Sequence, residues 1–341
     1  MIDLTTLLSP VSEDAPCGQN LEYDPAFGEL ERAVQGTPAR EMGGSIIPAV
    51  APDWNNVGEQ ALVLFERTKD LRVAVPLAHA ALQTQGLPAF ASGLALIRRL
   101  VTDYWDDLHP ELDKDDHDDP TLRMNSLLAL NDRAEVVGSL SRCALIQSRA
   151  MGSVSLRNLR IAAGELTPGE EDGPEPLSQA QIEAAFLDGS LEDLESNAAA
   201  ARQAVEELDG LSEYLSERAG FAAADLDALA AELRAIDAVL SDHLRRRQGN
   251  GAAAGAGAAT ASAGAGQAPT SAGQINTRED VVRLLDRICE YFEKNEPSSP
   301  VPLLLRRAKG LVAKDFMEIL RDLTPDGVSQ ARLIAGANDD D

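Results

Sequence analysis

Histidine, cysteine and aromatic side chains are scarce in this 341-residue chain: four His, three Cys and 4% aromatics. His79, His109, His117 and His243 form no HxxxH or HExxH pair, so the common zinc spacings are excluded. Cys17, Cys143 and Cys289 are odd in number and far apart, with no CxxC. They read as reduced thiols of a cytosolic protein, not as a disulfide framework. No GxGxxG follows a strand, and GxxxxGK[ST] and the GxSxG elbow are both absent. Catalytic residues, cofactors, metals and a small-molecule substrate are therefore not expected. No apolar run approaches the ~18 residues of a membrane span. Met1-Ile2-Asp3-Leu4 does not open a secretory signal. Cations are few as well. Thirty Lys and Arg face 56 Asp and Glu, and a net charge of −26 argues against nucleic acid.

What is present is helix-forming. Hydrophobic residues make up 44%, Ala and Leu are abundant, and no alternating Val/Ile/Thr/Tyr runs mark strands. The sequence predicts an all-α protein of several domains. Residues 1–165 read as an antiparallel helical domain. A loop-rich stretch reaches Pro52. Asp53 caps a helix carrying Trp54, Val57, Ala61, Leu64 and Phe65 on one face. Further helices are predicted over 71–84, 89–106, 120–130 and 132–150.

Asp103 to Asp119 holds nine carboxylates in 17 residues and invites a calcium reading. An EF-hand loop starting at Asp113 needs Gly at its sixth position and Glu at its twelfth, where Asp118 and Met124 stand. The stretch reads as a solvated acidic loop.

The acidic loop Thr167–Pro176 leads to the middle segment, 176–247. There Leu191, Leu194, Ala198, Ala201, Val205, Leu208, Ser212 and Leu215 repeat at 3-4 spacing. After Gly220 a second seam runs Leu226, Leu229, Leu233, Ile236, Leu240 and His243. Two such seams predict a coiled-coil-like helical hairpin. A hairpin docked on the N-terminal domain and a dimerisation hairpin both satisfy the pattern. Arg245, Arg246 and Arg247 read as cations at a helix C-terminus. Residues 248–275 read as a flexible linker: 248–274 are rich in Gly and Ala, without charge or large apolar side chains, and have a reach of roughly 30 Å.

Residues 276–336 form a small helical module. Its stripe of Val281, Leu284, Leu285, Ile288, Tyr291 and Phe292, and the run Val301-Pro-Leu303-Leu304-Leu305-Arg306-Arg307, are more apolar surface than ~60 residues can hide. Self-association answers this. The candidate oligomer interface is therefore Tyr291, Phe292, Val301, Leu303, Leu304, Leu305, Arg306 and Arg307. Charge agrees: 165–247 carries −14, whereas 276–341 carries only −3, so copies of the latter repel little.

Three stretches resemble the ImpA N-terminal (TssA) family of type VI secretion proteins: Pro16–Asp24 (PCGQNLEYD), Thr68–Val75 (TKDLRVAV) and Tyr104–Pro110 (YWDDLHP). The residues that carry the likeness are Pro16, Cys17, Gly18, Leu21, Tyr23, Asp24, Asp70, Leu71, Arg72, Tyr104, Trp105, His109 and Pro110. Gly86, Gly93-Leu94 and Ser155–Leu159 fit too, and Glu296–Ala308 resembles the family's C-terminal module. Pro76 departs from the pattern, where a bulky residue is commoner. The resemblance implies a cytoplasmic protein at the inner-membrane apparatus. It implies a ring assembled through the C-terminal module, in contact with baseplate, inner-tube and sheath components, with the membrane complex as a further partner. The short module and long linker suit the baseplate-associated class. An adaptor delivering sheath components to a disassembly ATPase is the alternative.

Overall fold

The computed structural model describes residues 2–37, 40–42, 45–169, 176–255 and 301–311, together with Val282, Leu285, Asp286, Ile288 and Cys289. The chain divides into two compact units, Met1–Ala259 and Thr260–Asp341.

In the first unit each helix begins where the sequence offers a cap. Helix α1 spans Leu4–Leu7 and α2 spans Pro25–Gln35, the latter capped by Asp24 with Pro25 at its first position. Both lie in the stretch expected to be loop. Phe27 and Leu30 of α2 are buried, and this one-sided burial stabilises a helix that follows a loop-rich stretch. Helix α3 (Trp54–Phe65) starts on Asp53, α4 (Leu71–Gln85) on Asp70, and α5 (Leu87–Asp103) on Gly86, whose φ is +81°. Helix α4 keeps Pro76 in its interior. The acidic stretch links α5 to α6 (Thr121–Leu128); its second part, 111–119, is largely exposed, whereas Trp105, Leu108, His109 and Pro110 are buried.

The fold is mainly helical, as expected, and two short antiparallel hairpins are added to it. Strands β1 (Arg40–Met42) and β2 (Ser45–Ile47) pair Arg40 with Ile47. The helix expected over 132–150 is only α7, Val136–Arg142; the chain then forms β3 (Ala144–Ser148) and β4 (Gly152–Ser155). These strands are three to five residues long, too short to show a period of two. A register shift between Ala144 and Ile146 also leaves Leu145 and Ile146 both buried, which erases the alternation. Helix α8 (Leu156–Ala162) follows, with a capping box on Ser155 and Asn158.

Helix α9 (Gln179–Asp188) has its own capping box on Ser178. Helices α10 (Leu191–Ala219) and α11 (Asp227–Gly255) are the predicted seams. Leu194, Ala198, Ala201, Leu208 and Leu215 are buried against one core shared with α3, α4 and α5. The hairpin is docked within its own chain: Arg98 of α5 pairs with Glu207 at 2.9 Å. Its guanidinium crosses Gly210, where a Cβ would lie 2.7 Å from it. Arg160 makes a bidentate pair with buried Glu232 of α11, at 2.9 and 2.8 Å.

Helix α11 runs to Gly255, into the Gly/Ala stretch read as linker, because alanine favours helix. The arginine triplet is thus inside a helix, not at its end. Arg247 donates to the carbonyls of Phe186 and Gly189 at the end of α9. Residues 256–275 lie outside the described residues.

In the second unit, helix α12 spans Val301–Leu311, and Lys309 pairs with Asp286 at 2.6 Å.

Helices α4 and α5 approach through small residues. A Cβ on Gly93 would sit 2.7 Å from the Cβ of Ala78, whereas one on Gly58 of α3 would rest 3.7 Å from Ala80. Gly93→Ala is expected to destabilise by roughly 1–2 kcal/mol, overpacking outweighing helix propensity. Gly58→Ala is expected to be neutral or to gain up to about 1 kcal/mol. Urea unfolding midpoints of the two variants measure this, and equal shifts would count against the close approach.

His79 is buried on α4. Its Nε2 lies 3.0 Å from Ser139 Oγ and its ring 4.1 Å from that of Trp54. Burial, then Arg142, lowers its pKa to about 4, against a partial offset from Asp132. A depressed histidine leaves folding unpenalised above the ordinary value of about 6.5 and costs stability as pH falls from there towards 4. About 3 kcal/mol of acid sensitivity should come from this residue. Denaturant titrations at pH 7 and near pH 4 should show His79→Gln losing less stability than the parent.

Candidate functional site

The three motif stretches are far apart in sequence and meet in one node. The loop before α2, the turn between α3 and α4, and the loop after α5 are joined by backbone hydrogen bonds. Lys69 N donates to Cys17 O at 2.8 Å, Leu71 N to His109 O at 2.9 Å, and His109 N to Lys69 O at 3.1 Å. Gly18 bridges Thr68, and Asp70 bridges His109. Gly18 needs its φ of +70°, and a Cβ there would run into the carbonyl of Arg67.

Side chains complete the joint. Asp70 is fully buried, caps α4 through Arg72 N at 2.8 Å, and pairs with the Arg72 guanidinium at 2.8 Å. Arg72 also reaches Glu22 (3.1 Å) and Asn20 (3.0 Å) of the first loop. Asp24 accepts from Arg67 at 2.5 Å while capping α2; that pairing, its first cause, holds its carboxyl below the usual range. Tyr104 donates to Leu8 O at 2.6 Å, and His109 Nε2 lies 3.2 Å from Gly18 O. The His109–Pro110 bond is cis. Leu21, Leu71 and Cys17 are buried in the core, and Pro16 is half-buried beside them. Tyr23 is 94% exposed.

Two participants, Arg123 and Lys69, are not among the residues that carry the family likeness. Arg123 of α6 is fully buried, and its guanidinium donates to the carbonyls of Trp105, Leu108 and Pro110 (2.6 Å to the last). It also lies over the Trp105 ring, 5.1 Å from the centroid. Its signal was positional: it shares a helical face with Met124, Leu127 and Leu130, a stripe that otherwise reads as core. Buried Lys69 donates to Phe65 O at 3.1 Å.

This arrangement orients loops through hydrogen bonds. Burial pushes the Cys17 thiol up to about 12, so it stays protonated and unreactive. Burial lowers Lys69, whose ammonium is already committed to a carbonyl. Among the described residues, no group of three or more His, Cys, Asp or Glu is placed to hold a metal ion.

The candidate interface residues belong to the second unit. Leu304 is 66% exposed, Arg306 and Arg307 are exposed, and Val301 and Leu305 are half-buried. Tyr291, Phe292 and the Leu303 side chain lie outside the described residues.

Arg123→Met is expected to cost about 3–5 kcal/mol, because three carbonyls lose their donor together. Arg123→Lys should recover only part of this, since an ammonium cannot span three acceptors as a planar fork does. Chemical denaturation measures it, and a near-neutral Arg123→Met would remove the node's central role.

The matches to known proteins follow the same geometry. Residues 8–132, which contain the whole node, match the family model described as ImpA, N-terminal, type VI secretion system. The type VI secretion system component TssA1 of Pseudomonas aeruginosa is 42% identical over 347 residues, covering 98% of this chain and 99% of that protein. A solved N-terminal domain of the TssA component from Burkholderia cenocepacia, including the conserved ImpA_N region, matches with a TM-score of 0.57 at 25% identity, covering 72% of this chain and 95% of that one. The chain therefore belongs to the TssA family of type VI secretion system components.

Proposed function

We propose that this chain is a non-enzymatic assembly component that forms a ring through its C-terminal module, 276–336. In this reading it meets baseplate, inner-tube and sheath components while the contractile tail is built, with the membrane complex as a further contact. The observation that carries the reading is the surface of α12. Val301, Leu305 and Lys309 lie one turn apart and are half-buried, whereas Leu304 stands in solvent beside exposed Arg306 and Arg307. An exposed leucine one turn before exposed Arg307 suits an interface with another copy, whose carboxylates Arg can hold in bidentate fashion.

Charge supports the same division of labour. The 276–341 segment is nearly neutral and can sit beside copies of itself. The acidic first unit is better kept apart, and the Gly/Ala stretch between the two provides spacing. A place at the cytoplasmic side of the apparatus agrees with the described residues, of which no helix is long and apolar enough to cross a membrane.

Leu304→Asp is expected to break the full-length assembly into smaller species while leaving helical content unchanged, because a charge cannot be buried unpaired at an interface. Leu305→Asp, on the half-buried face, should reduce helical content as well. Light scattering beside circular dichroism on the two variants decides. An intact large particle in Leu304→Asp would sink the interface.

A further inference from the structure

We propose that the cleft between α4 and α6 is a docking site for a basic, amphipathic segment of a partner protein, one apolar side chain of which enters over Pro76. The cleft has a volume of about 560 Å³. One wall is the face of α4 carrying Arg72, Val75, Pro76 and His79, spaced three, four and seven residues apart. Ser126 of α6 and Ala129, the residue that caps it, also line the cleft, together with Val34, Pro52, Asp132 and Glu135.

Three features fit that occupant. The lining is largely apolar, and the surface continues it: Leu122, one turn before Ser126, is 60% exposed, and Val50, two residues before Pro52, is 62% exposed. Water covers these side chains at a cost that an apolar partner removes. Second, proline brings no N–H to the carbonyl of Arg72, its i−4 acceptor, so this wall keeps a backbone acceptor without its usual helical partner. Third, the charges are one-sided. Asp132 and Glu135 are exposed and, among the described residues, neither is in a salt bridge, although Asp132 Oδ1 accepts from Ala134 N and Glu135 N at 2.8 and 3.1 Å. The single cation in the lining, Arg72, is already held by Asp70 and Glu22. His79 is neutral at physiological pH. The cleft therefore presents an apolar floor, a carbonyl that proline deprives of its i+4 donor, and two exposed carboxylates outside any salt bridge among the described residues. That combination suits a leucine-like side chain flanked by Lys or Arg, laid in as a helix between two helices.

The proposal adds a place where a partner is held, and it stands whether or not the chain forms a ring. The probe is a fluorescein-labelled amphipathic helical peptide of leucine and lysine, with a leucine–glutamate peptide of the same pattern as control. Anisotropy is measured on the full-length protein at physiological ionic strength. Saturable binding of the lysine peptide and none of the glutamate peptide is expected. Ala129→Trp fills the cleft from the end of α6 and should weaken binding at least tenfold. Gln35→Trp, from the α2 side, should do the same if the first variant folds poorly, as circular dichroism will report. Asp132→Asn with Glu135→Gln should weaken it several-fold. A lysine peptide also binds non-specifically to so acidic a protein, so unchanged binding in folded Ala129→Trp or Gln35→Trp overturns the proposal, as does absence of saturable binding to the parent.

Discussion

The guanidinium of Arg123 is the constraint on which the N-terminal half is built. Three carbonyls from one loop, those of Trp105, Leu108 and Pro110, converge on a single buried cation. Such a cation is costly to bury unless every donor is used. Folding α6 against the loop after α5 therefore fixes the path of residues 105–110. Once His109 is placed, its backbone receives Leu71 N and gives its N–H to Lys69 O. Asp70 is then held where it can cap α4, and Arg72 where it can reach back to the first loop. The motif residues form a mechanical joint for helix ends, and its chemistry is hydrogen bonding without reactivity.

The joint also explains why the middle hairpin belongs to the same unit. Trp105 lies between two guanidiniums, with Arg123 at 5.1 Å on α6 and Arg218 at 6.0 Å on α10. Tyr214 of α10 meets its ring edge-on at 5.8 Å. With Arg98–Glu207 further along α5, the hairpin is held at two separated points. Two thin seams of Leu and Ala would be a marginal core alone, and docking on α5 supplies the missing wall. The pattern left a docked hairpin and a dimerising one open because a 3-4 repeat records which face is buried, not what buries it.

Legibility in the sequence followed the range of the interactions. Helices α3, α4, α5, α10 and α11 were readable because cap and stripe coincide within each, as with Asp53 before Trp54 and Val57. Helix α2 was missed although Asp24-Pro25 is a start signal, because it follows a loop-rich stretch and holds only two fully buried side chains. Strands β3 and β4 were missed because the bulge puts Leu145 and Ile146 on the same side. The motif segments were each visible, but their meeting was not. It depends on backbone bonds between residues 17 and 69 and between 71 and 109, which leave no trace in composition or period. Arg123 was hidden most completely, since a single arginine in a helix normally signals a solvent face.

The far end of α11 follows the same logic. Phe186 of α9 stacks on His243 with ring centroids 3.7 Å apart, Arg246 pairs with Glu183, and Arg247 takes the carbonyls of Phe186 and Gly189. Those carbonyls end α9 and would otherwise lack donors. Three side chains within little more than one turn of α11, His243, Arg246 and Arg247, therefore fasten α9 to α11 just before the Gly/Ala stretch begins. Load applied to the chain beyond residue 248 would meet this clamp before reaching the core. Breaking it requires exposing Phe186 and stranding two carbonyls together, so the clamp should give way as one step. A short, weakly amphipathic helix can hold that position because its end is satisfied from outside, by side chains of a longer helix already fixed to the core.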